Sequence, residues 1–175
     1  MSYLLITHIL DMKMDLSQGE IQNFVDELEN DAEEIESNIE SFCEETYATT
    51  YYTESDAKRK KWRTPEGETK ECQRKARSEY EIWYTSAKKL IEEYMPERLD
   101  DFENEYEKFK KYISLDVSPN RYFNDLYEEI IDSFDEQRNI VKSIPAKIRA
   151  EKFRARRQIS SRMVRDEIQR SREFF

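Results

Sequence analysis

The sequence predicts an all-α protein, an elongated antiparallel bundle of four to five long helices with a coiled-coil-like first helix. The 175 residues include only two glycines and four prolines, too few for the tight turns of a β-sandwich or a Rossmann-type fold. Aromatic residues reach 13%, more than a disordered acidic segment carries. Apolar residues recur at helical spacing through most of the chain. We therefore expect one helical domain spanning residues 1–175.

Residues 1–16 are expected to form a short N-terminal segment. It lacks the basic region and the cleavage site of a signal peptide, and its apolar run is too short to span a bilayer. Its apolar residues are Leu4, Leu5, Ile6, Ile9 and Leu10. We expect this segment to pack on the body of the protein or on a neighbouring subunit, unless translation starts at Met12 or Met14.

The first strong helix signal begins at Ser17. Ser17 can cap a helix while Glu20 reaches back to it, and Leu16 can pack on Ile21. Apolar residues then recur at alternating spacings of 4 and 3, which is typical of a coiled-coil seam. The seam consists of Ile21, Val25, Leu28, Ala32, Ile35, Ile39 and Phe42. Because acidic residues flank it, we interpret the seam as core or as a candidate interface with a basic partner.

Residues 50–70 are expected to form a loop, because the helical pattern is lost there and Pro65 and Gly67 mark a turn. Tyr51 and Tyr52 are candidate partner-binding residues, since tyrosine is favoured in interfaces, or else the edge of a core. A basic run follows, made of Lys58, Arg59, Lys60, Lys61, Trp62 and Arg63. We expect a solvated loop whose Trp62 packs back on the bundle; the alternative is a single-stranded nucleic-acid site that uses charge and stacking.

Three further helices are predicted after this loop. The second runs from about Cys72 to Met95, and Pro96 suits the first position of the third. Ser118 and Pro119 open the fourth in the same way. Because proline disrupts a helix interior, we expect a boundary or kink at residues 143–145 and a separate basic C-terminal helix over 146–175.

Charge is divided sharply along the chain. The net charge of −10 is made of −13 in residues 1–55, +5 in 56–77, −10 in 78–137 and +8 in 138–175. The simplest interpretation of this charge distribution is that the basic last helix lies along the acidic helices, within one chain or across a dimer. The alternative is that it binds a phosphate backbone. Its candidate residues are Arg149, Lys152, Arg154, Arg156, Arg157, Arg162 and Arg165.

The sequence offers no recognisable catalytic, metal or cofactor site. His8 is the only histidine, so neither a Ser-His-Asp nor a Cys-His arrangement has a plausible base. With Cys43 and Cys72 it cannot complete a Cys/His zinc site, and isolated glycines cannot build a phosphate-binding loop. We expect no enzyme activity, no cofactor and no small-molecule substrate. Two cysteines form no disulfide framework, which favours a reducing cytoplasm, and no membrane association is expected.

Two stretches carry a family resemblance. They are YEIWYTSA at 80–87, with its continuation through Pro96 and Phe102 to Tyr106, and FDEQRNIVKSIP at 134–145. They resemble the N-terminal helical region of uncharacterised prokaryotic proteins that carry a C-terminal HEPN-like domain, a superfamily that includes RNases and toxin- or defence-associated modules. Phe175 lies about where that domain would begin. The Arg…His nuclease motif of the superfamily cannot be written with His8 as the only histidine.

The resemblance implies a helical module that works beside, or in front of, an effector domain. Together with the residues above, it predicts a noncatalytic protein-interaction module, an accessory subunit of a prokaryotic defence or toxin-associated system that binds a protein partner or forms a homo-oligomer. The alternative is a nucleic-acid-binding protein that uses the basic C-terminal helix and the run from Lys58 to Arg63.

Overall fold

A computed structural model describes residues 17–54, 57–119 and 126–173 of the chain, with side chains described as far as residue 163. The elements in order are α1 (Gln18–Glu44), β1 (Ala48–Tyr52), β2 (Lys58–Trp62), α2 (Gly67–Tyr94), a 3-10 turn (Pro96–Arg98), α3 (Leu99–Ile113) and α4 (Leu126–Glu173). The mostly helical fold is therefore confirmed, with a small two-stranded sheet added to it. The predictions for residues 1–16, including the packing of Leu16, concern residues outside those that the structure describes.

Helix α1 begins as its sequence predicts. The Ser17 hydroxyl accepts from the backbone N–H of Glu20 at 3.3 Å, and the Glu20 carboxylate accepts from the Ser17 N–H at 2.7 Å. This reciprocal pair satisfies two donors that a helix start otherwise leaves without partners. All seven apolar residues of the seam are buried, so the seam forms the face of α1 that covers the core.

The four helices run up, down, up and down. Neighbouring helices are joined by side-chain hydrogen bonds: Trp83 Nε1 of α2 donates to the Leu28 carbonyl of α1 at 2.9 Å, and Tyr106 of α3 donates to Glu81 of α2. Gln137 of α4 donates to the Phe102 carbonyl of α3. Large aromatic side chains fill the space between the helices, which buries a single core.

The two ends of the bundle are built differently. At one end the β-hairpin connects α1 to α2 and lies beside the end of α3, because Trp62 Nε1 donates to the Val117 carbonyl at 2.7 Å. At the other end Lys147 of α4 donates to the Tyr94 carbonyl at 2.8 Å and pairs with Glu97. Helix α2 has 28 residues and runs between these ends. At 1.5 Å per residue, this length separates them by about 40 Å.

Two details of the expected layout are corrected. The segment 50–70 is not a plain loop, because β1 pairs antiparallel with β2, with Ala48 opposite Trp62 and Tyr52 opposite Lys58. The expected boundary at residues 143–145 is absent, since α4 continues through Pro145 to Glu173. Proline costs a helix one hydrogen bond, but Ile144 and Ile148 are buried on either side of it and hold the helix in register. The predicted C-terminal helix is thus the second half of α4. The predicted end of the second helix near Met95 is confirmed.

Candidate interaction surfaces

The coiled-coil-like seam of α1 is not a surface in this structure. Its candidate interface residues are each at most 2% exposed. They are Ile21, Val25, Leu28, Ile35, Ile39 and Phe42. The sequence left two interpretations open for these residues, core or partner interface. In the structure their side chains lie in the core of the same chain. A partner would have to bind elsewhere.

A buried ionic cluster explains how the acidic α1 accepts the basic α4. Arg138 pairs with Glu36 at 2.8 Å and with Glu29 at 3.3 Å, and Lys142 pairs with Glu29. Burial opposes the charge on Arg138, but the two carboxylates outweigh it and raise the pKa of its guanidinium. The expectation that the basic last helix lies along the acidic helices of the same chain is wrong for residues 149–163, whose side chains are exposed. The residues that pair with α1 are Arg138 and Lys142, which precede that helix.

Tyr127 is the neighbour of this cluster on α4. Its hydroxyl donates to Glu36 at 3.1 Å. Burial, followed by the hydrogen bond to Glu36 and the negative charge around it, raises the pKa of Tyr127 to about 12. The phenol therefore stays protonated at neutral pH and remains a hydrogen-bond donor to the carboxylate.

The side chains of the hairpin lie alternately on its two faces. Residues opposite each other in an antiparallel pair lie on the same face, so Tyr51 lies with Arg59, and Thr49 with Lys61. The ladder continues to Arg63, whose N–H donates to the Tyr47 carbonyl at 2.9 Å. We call this side the ribbon face; it consists of Tyr47, Thr49, Tyr51, Arg59, Lys61 and Arg63. The other side carries the half-buried Lys60 and Trp62, with Tyr52 and Lys58 exposed at the tip.

Cations and tyrosines lie next to each other on the ribbon face. The Lys61 ammonium is 5.7 Å from the centre of the Tyr51 ring, and the Arg63 guanidinium is 5.4 Å from the centre of the Tyr47 ring. Tyr47 is 53% exposed and Tyr51 is 40% exposed. Exposed rings held beside cations form a surface on which both planar groups and anions can bind.

A cleft of about 520 Å³ opens between the hairpin, the start of α2 and the turn after α3. It is lined by four cationic side chains, Lys60, Lys61, Arg63 and Lys70, against the single carboxylate of Asp116. In the part of the chain that the structure describes, no carboxylate forms an ion pair with Lys61, Arg63 or Lys70. The cleft is therefore electropositive in a protein that is acidic overall.

The wall of this cleft is fixed by the end of α3. The N–H of Asp116 donates to the Lys111 carbonyl and that of Leu115 to the Tyr112 carbonyl, which is the Schellman arrangement. Leu115 takes the left-handed position at φ 60°, where glycine is usual. Gln73 of α2 donates to the Ile113 carbonyl at 2.6 Å. These bonds hold the turn against α2 and beside the hairpin.

The second half of α4 leaves the bundle. Among the side chains described up to residue 163, Ile148 is the last buried one, and those from 149 to 163 are all exposed. We call residues 149–173 the projection; its 25 residues extend the helix by about 37 Å. Residues 149–163 contain six basic side chains and one acidic side chain.

The buried stripe of α4 continues onto the projection. Val141, Ile144 and Ile148 cover the core, and at spacings of 7, 4 and 4 they are followed by Ala155, Ile159 and Met163. These positions lie on one side of a helix. Ile159 is 59% exposed and Met163 is 66% exposed. Lys152, four residues after Ile148 and three before Ala155, interrupts the stripe, and Arg156 and Arg162 lie at its two edges. An amphipathic face thus extends beyond the core that covers its first half.

The structure separates the residues that the nucleic-acid interpretation had grouped. Lys58, Arg59, Lys60, Lys61, Trp62 and Arg63 lie at the hairpin end, whereas Arg149, Lys152, Arg154, Arg156, Arg157 and Arg162 project from the other end. The structure does not describe the side chain of Arg165. A single short ligand cannot touch both groups, so they form two surfaces.

Sequence reasoning missed several residues of these surfaces. Lys70 and Asp116 join the cleft only because α3 ends against the start of α2, and no local pattern signals such a contact. Ile159 and Met163 are apolar in the sequence, but only the end of the bundle at Ile148 shows that they are uncovered. The Thr-Thr-Tyr-Tyr run of β1 was an available signal, because these residues favour strands.

Among the described residues, no three His, Cys, Asp or Glu side chains come together where they could hold a metal ion. None of the described helices combines the length and the apolar composition that crossing a membrane requires. No protein-family model, curated protein or solved structure matches the chain.

Proposed function

We propose that this protein is a noncatalytic interaction module, and that its projection binds an acidic amphipathic helix of a partner protein. One observation carries the proposal: the stripe that packs α4 on the core continues, uncovered, for at least fifteen residues beyond the bundle. An exposed apolar stripe rimmed by charge is typical of a helix that packs on another protein.

Charge complementarity identifies the chemistry of the partner. In its buried half, α4 places Arg138 and Lys142 beside its apolar stripe, and they pair with Glu29 of the acidic α1. On the projection, Arg156 follows Arg138 by five helical turns and so has the corresponding position beside Ile159 and Met163, while Arg162 lies at the other edge of the stripe. A helix with an apolar seam and acidic flanks, like α1, fits this surface. A second copy of the basic projection would fit less well, because like charges would face each other.

The biological setting rests on the family resemblance of residues 80–106 and 134–145. On that basis we propose an accessory subunit of a prokaryotic defence or toxin-associated system, acting in the cytoplasm.

Site-specific photocrosslinking in the native host tests the proposal. A photoreactive amino acid replaces Ile159 in one variant of the full chain and Ala150 in the control. The two residues are nine positions apart, so they lie on opposite sides of the helix. We expect a crosslink from position 159 and none from position 150, and mass spectrometry should identify the attached peptide as an acidic amphipathic segment. Adding Arg156→Glu to the position-159 variant should abolish the crosslink.

Several results of the crosslinking experiment would contradict the proposal. These are the absence of any protein crosslink from position 159, equal crosslinking from positions 159 and 150, and attachment of a nucleic acid instead of a protein. A crosslink to a second copy of this chain would also overturn it, since the projections would then pair with each other.

A further inference from the structure

We infer that the ribbon face and the adjoining cleft bind single-stranded nucleic acid. The site lies at the hairpin end, about 40 Å from the projection, so it is independent of the partner-binding surface proposed above. The inference depends on three features that coincide there: exposed aromatic rings, a row of cations beside them, and an electropositive cleft that continues the row.

The tyrosines supply planar surfaces for bases. Tyr47 and Tyr51 lie on the same face of the hairpin, four residues apart, which is about 13 Å along a strand. Both rings are exposed, and each has a cation within 6 Å of its centre. Every base has a π-face, so rings spaced along a ribbon can stack bases of one strand without regard to sequence.

The cations supply contacts for phosphates. Arg59, Lys61 and Arg63 alternate along β2 on this face, and Lys70 extends the row into the cleft. On the opposite face of β2, Trp62 bonds to Val117, whereas Arg59, Lys61 and Arg63 are exposed. In a single nucleic-acid strand each nucleotide carries one phosphate and one base. Regularly spaced cations next to aromatic rings can therefore contact phosphates and bases of the same strand.

A base-paired duplex does not fit this arrangement. The bases of a duplex are stacked on each other, so they cannot lie on tyrosine rings unless the pairs are opened. An acidic peptide could meet the cations, but it would leave the two rings unused. A flexible single strand uses both features, and the ligand class we infer is therefore single-stranded RNA or DNA.

Fluorescence anisotropy with the full chain tests this inference. The probes are labelled ten-nucleotide oligouridine and oligothymidine, titrated between 20 and 200 mM KCl. Contacts between four cations and phosphates predict a slope of about −3 for log affinity against log salt. Binding of either oligonucleotide supports the inference, and the ratio of their affinities reports which sugar is preferred. The absence of binding to both at 20 mM KCl, or equal binding of a duplex, overturns it.

Two sets of variants separate the contributions. Tyr47→Leu/Tyr51→Leu keeps apolar strand residues but removes the rings, and we expect affinity to fall by at least about fivefold. Tyr47→Phe/Tyr51→Phe keeps the rings and should retain affinity within twofold of the unmodified chain. The triple variant Arg59→Gln/Lys61→Gln/Arg63→Gln should lose about tenfold or more and show a shallower salt slope.

A charge-matched control lies at the other end of the molecule. Arg149→Gln/Arg154→Gln/Arg157→Gln removes three positive charges from exposed positions of the projection, and it should leave oligonucleotide affinity within twofold. If this variant loses binding while the ribbon-face variant keeps it, or if the leucine variant binds normally, the inference is wrong. The photocrosslinking result is unaffected in either case, because it depends on Ile159.

Discussion

Gln137 offers a quantitative test of how the core is organised. Its side chain is fully buried, accepts a 2.6 Å hydrogen bond from the Tyr80 hydroxyl, and donates at 2.9 Å to the Phe102 carbonyl. One amide therefore links α2, α3 and α4. Burial raises the pKa of Tyr80 well above its usual range, so this phenol remains a donor that requires an acceptor.

Replacing Gln137 with methionine keeps the volume of the side chain but leaves the Tyr80 hydroxyl buried without its acceptor. An unsatisfied buried group costs about 1–3 kcal/mol, so we expect Gln137→Met to lower the free energy of unfolding by about 2 kcal/mol. Tyr80→Phe alone leaves the amide oxygen of Gln137 without a donor and should lower the free energy of unfolding by about 1–2 kcal/mol. The double variant removes both partners. Its loss should be smaller than the sum of the single losses by about 1 kcal/mol or more.

Urea denaturation followed by circular dichroism measures these four free energies. The m-value should stay constant across the cycle, because each chain exposes nearly the same surface when it unfolds. Additivity of the two single losses within about 0.3 kcal/mol would refute the reasoning, since it would mean that the two side chains are not coupled.

Two further predictions concern the ionic cluster between α1 and α4. Arg138→Met removes the cationic partner that Glu29 and Glu36 share. Lys142 remains, and both carboxylates keep some contact with water. We therefore expect the free energy of unfolding in urea to fall by about 2 kcal/mol, which is less than the cost of breaking a fully buried pair. A loss under 0.5 kcal/mol would contradict the buried pairing. Tyr127 has a pKa of about 12 in the folded chain, above its value near 10 when unfolded, so its stabilising contribution is complete below pH 10 and lost as pH rises towards 12. The difference in unfolding free energy between the unmodified chain and Tyr127→Phe should therefore shrink from pH 9 to pH 11.5, and an unchanged difference would exclude this role.

The elements predicted well from sequence are those whose signals are local. The capping box at Ser17 and Glu20 involves residues three apart, and the seam from Ile21 to Phe42 repeats along one helix. In both cases the information lies within a few turns of one chain segment, so tertiary context does not change the outcome.

The hairpin and the uninterrupted α4 were not predicted, for opposite reasons. Strand β2 is almost entirely basic and its connection to β1 is not a short glycine turn, so the usual hairpin signals are missing. The turn is closed instead by bonds between Thr53 and Ala57. Pro145, by contrast, gave a strong local signal for a break that the burial of Ile144 and Ile148 overrides. The cleft could not be predicted, because residues distant in sequence form its walls.

The position of Pro145 has a mechanical consequence. Its ring nitrogen cannot donate to the Val141 carbonyl, so α4 lacks one hydrogen bond of its ladder just before it leaves the bundle at Ile148. Bending is easiest where a helix has lost such a bond. Contacts on the far side of Pro145 nevertheless hold α4 to the bundle, namely the burial of Ile148 and the bond from Lys147 to the Tyr94 carbonyl. A bend at Pro145 would break these two contacts, so they keep the projection aligned with the half of α4 that lies in the core.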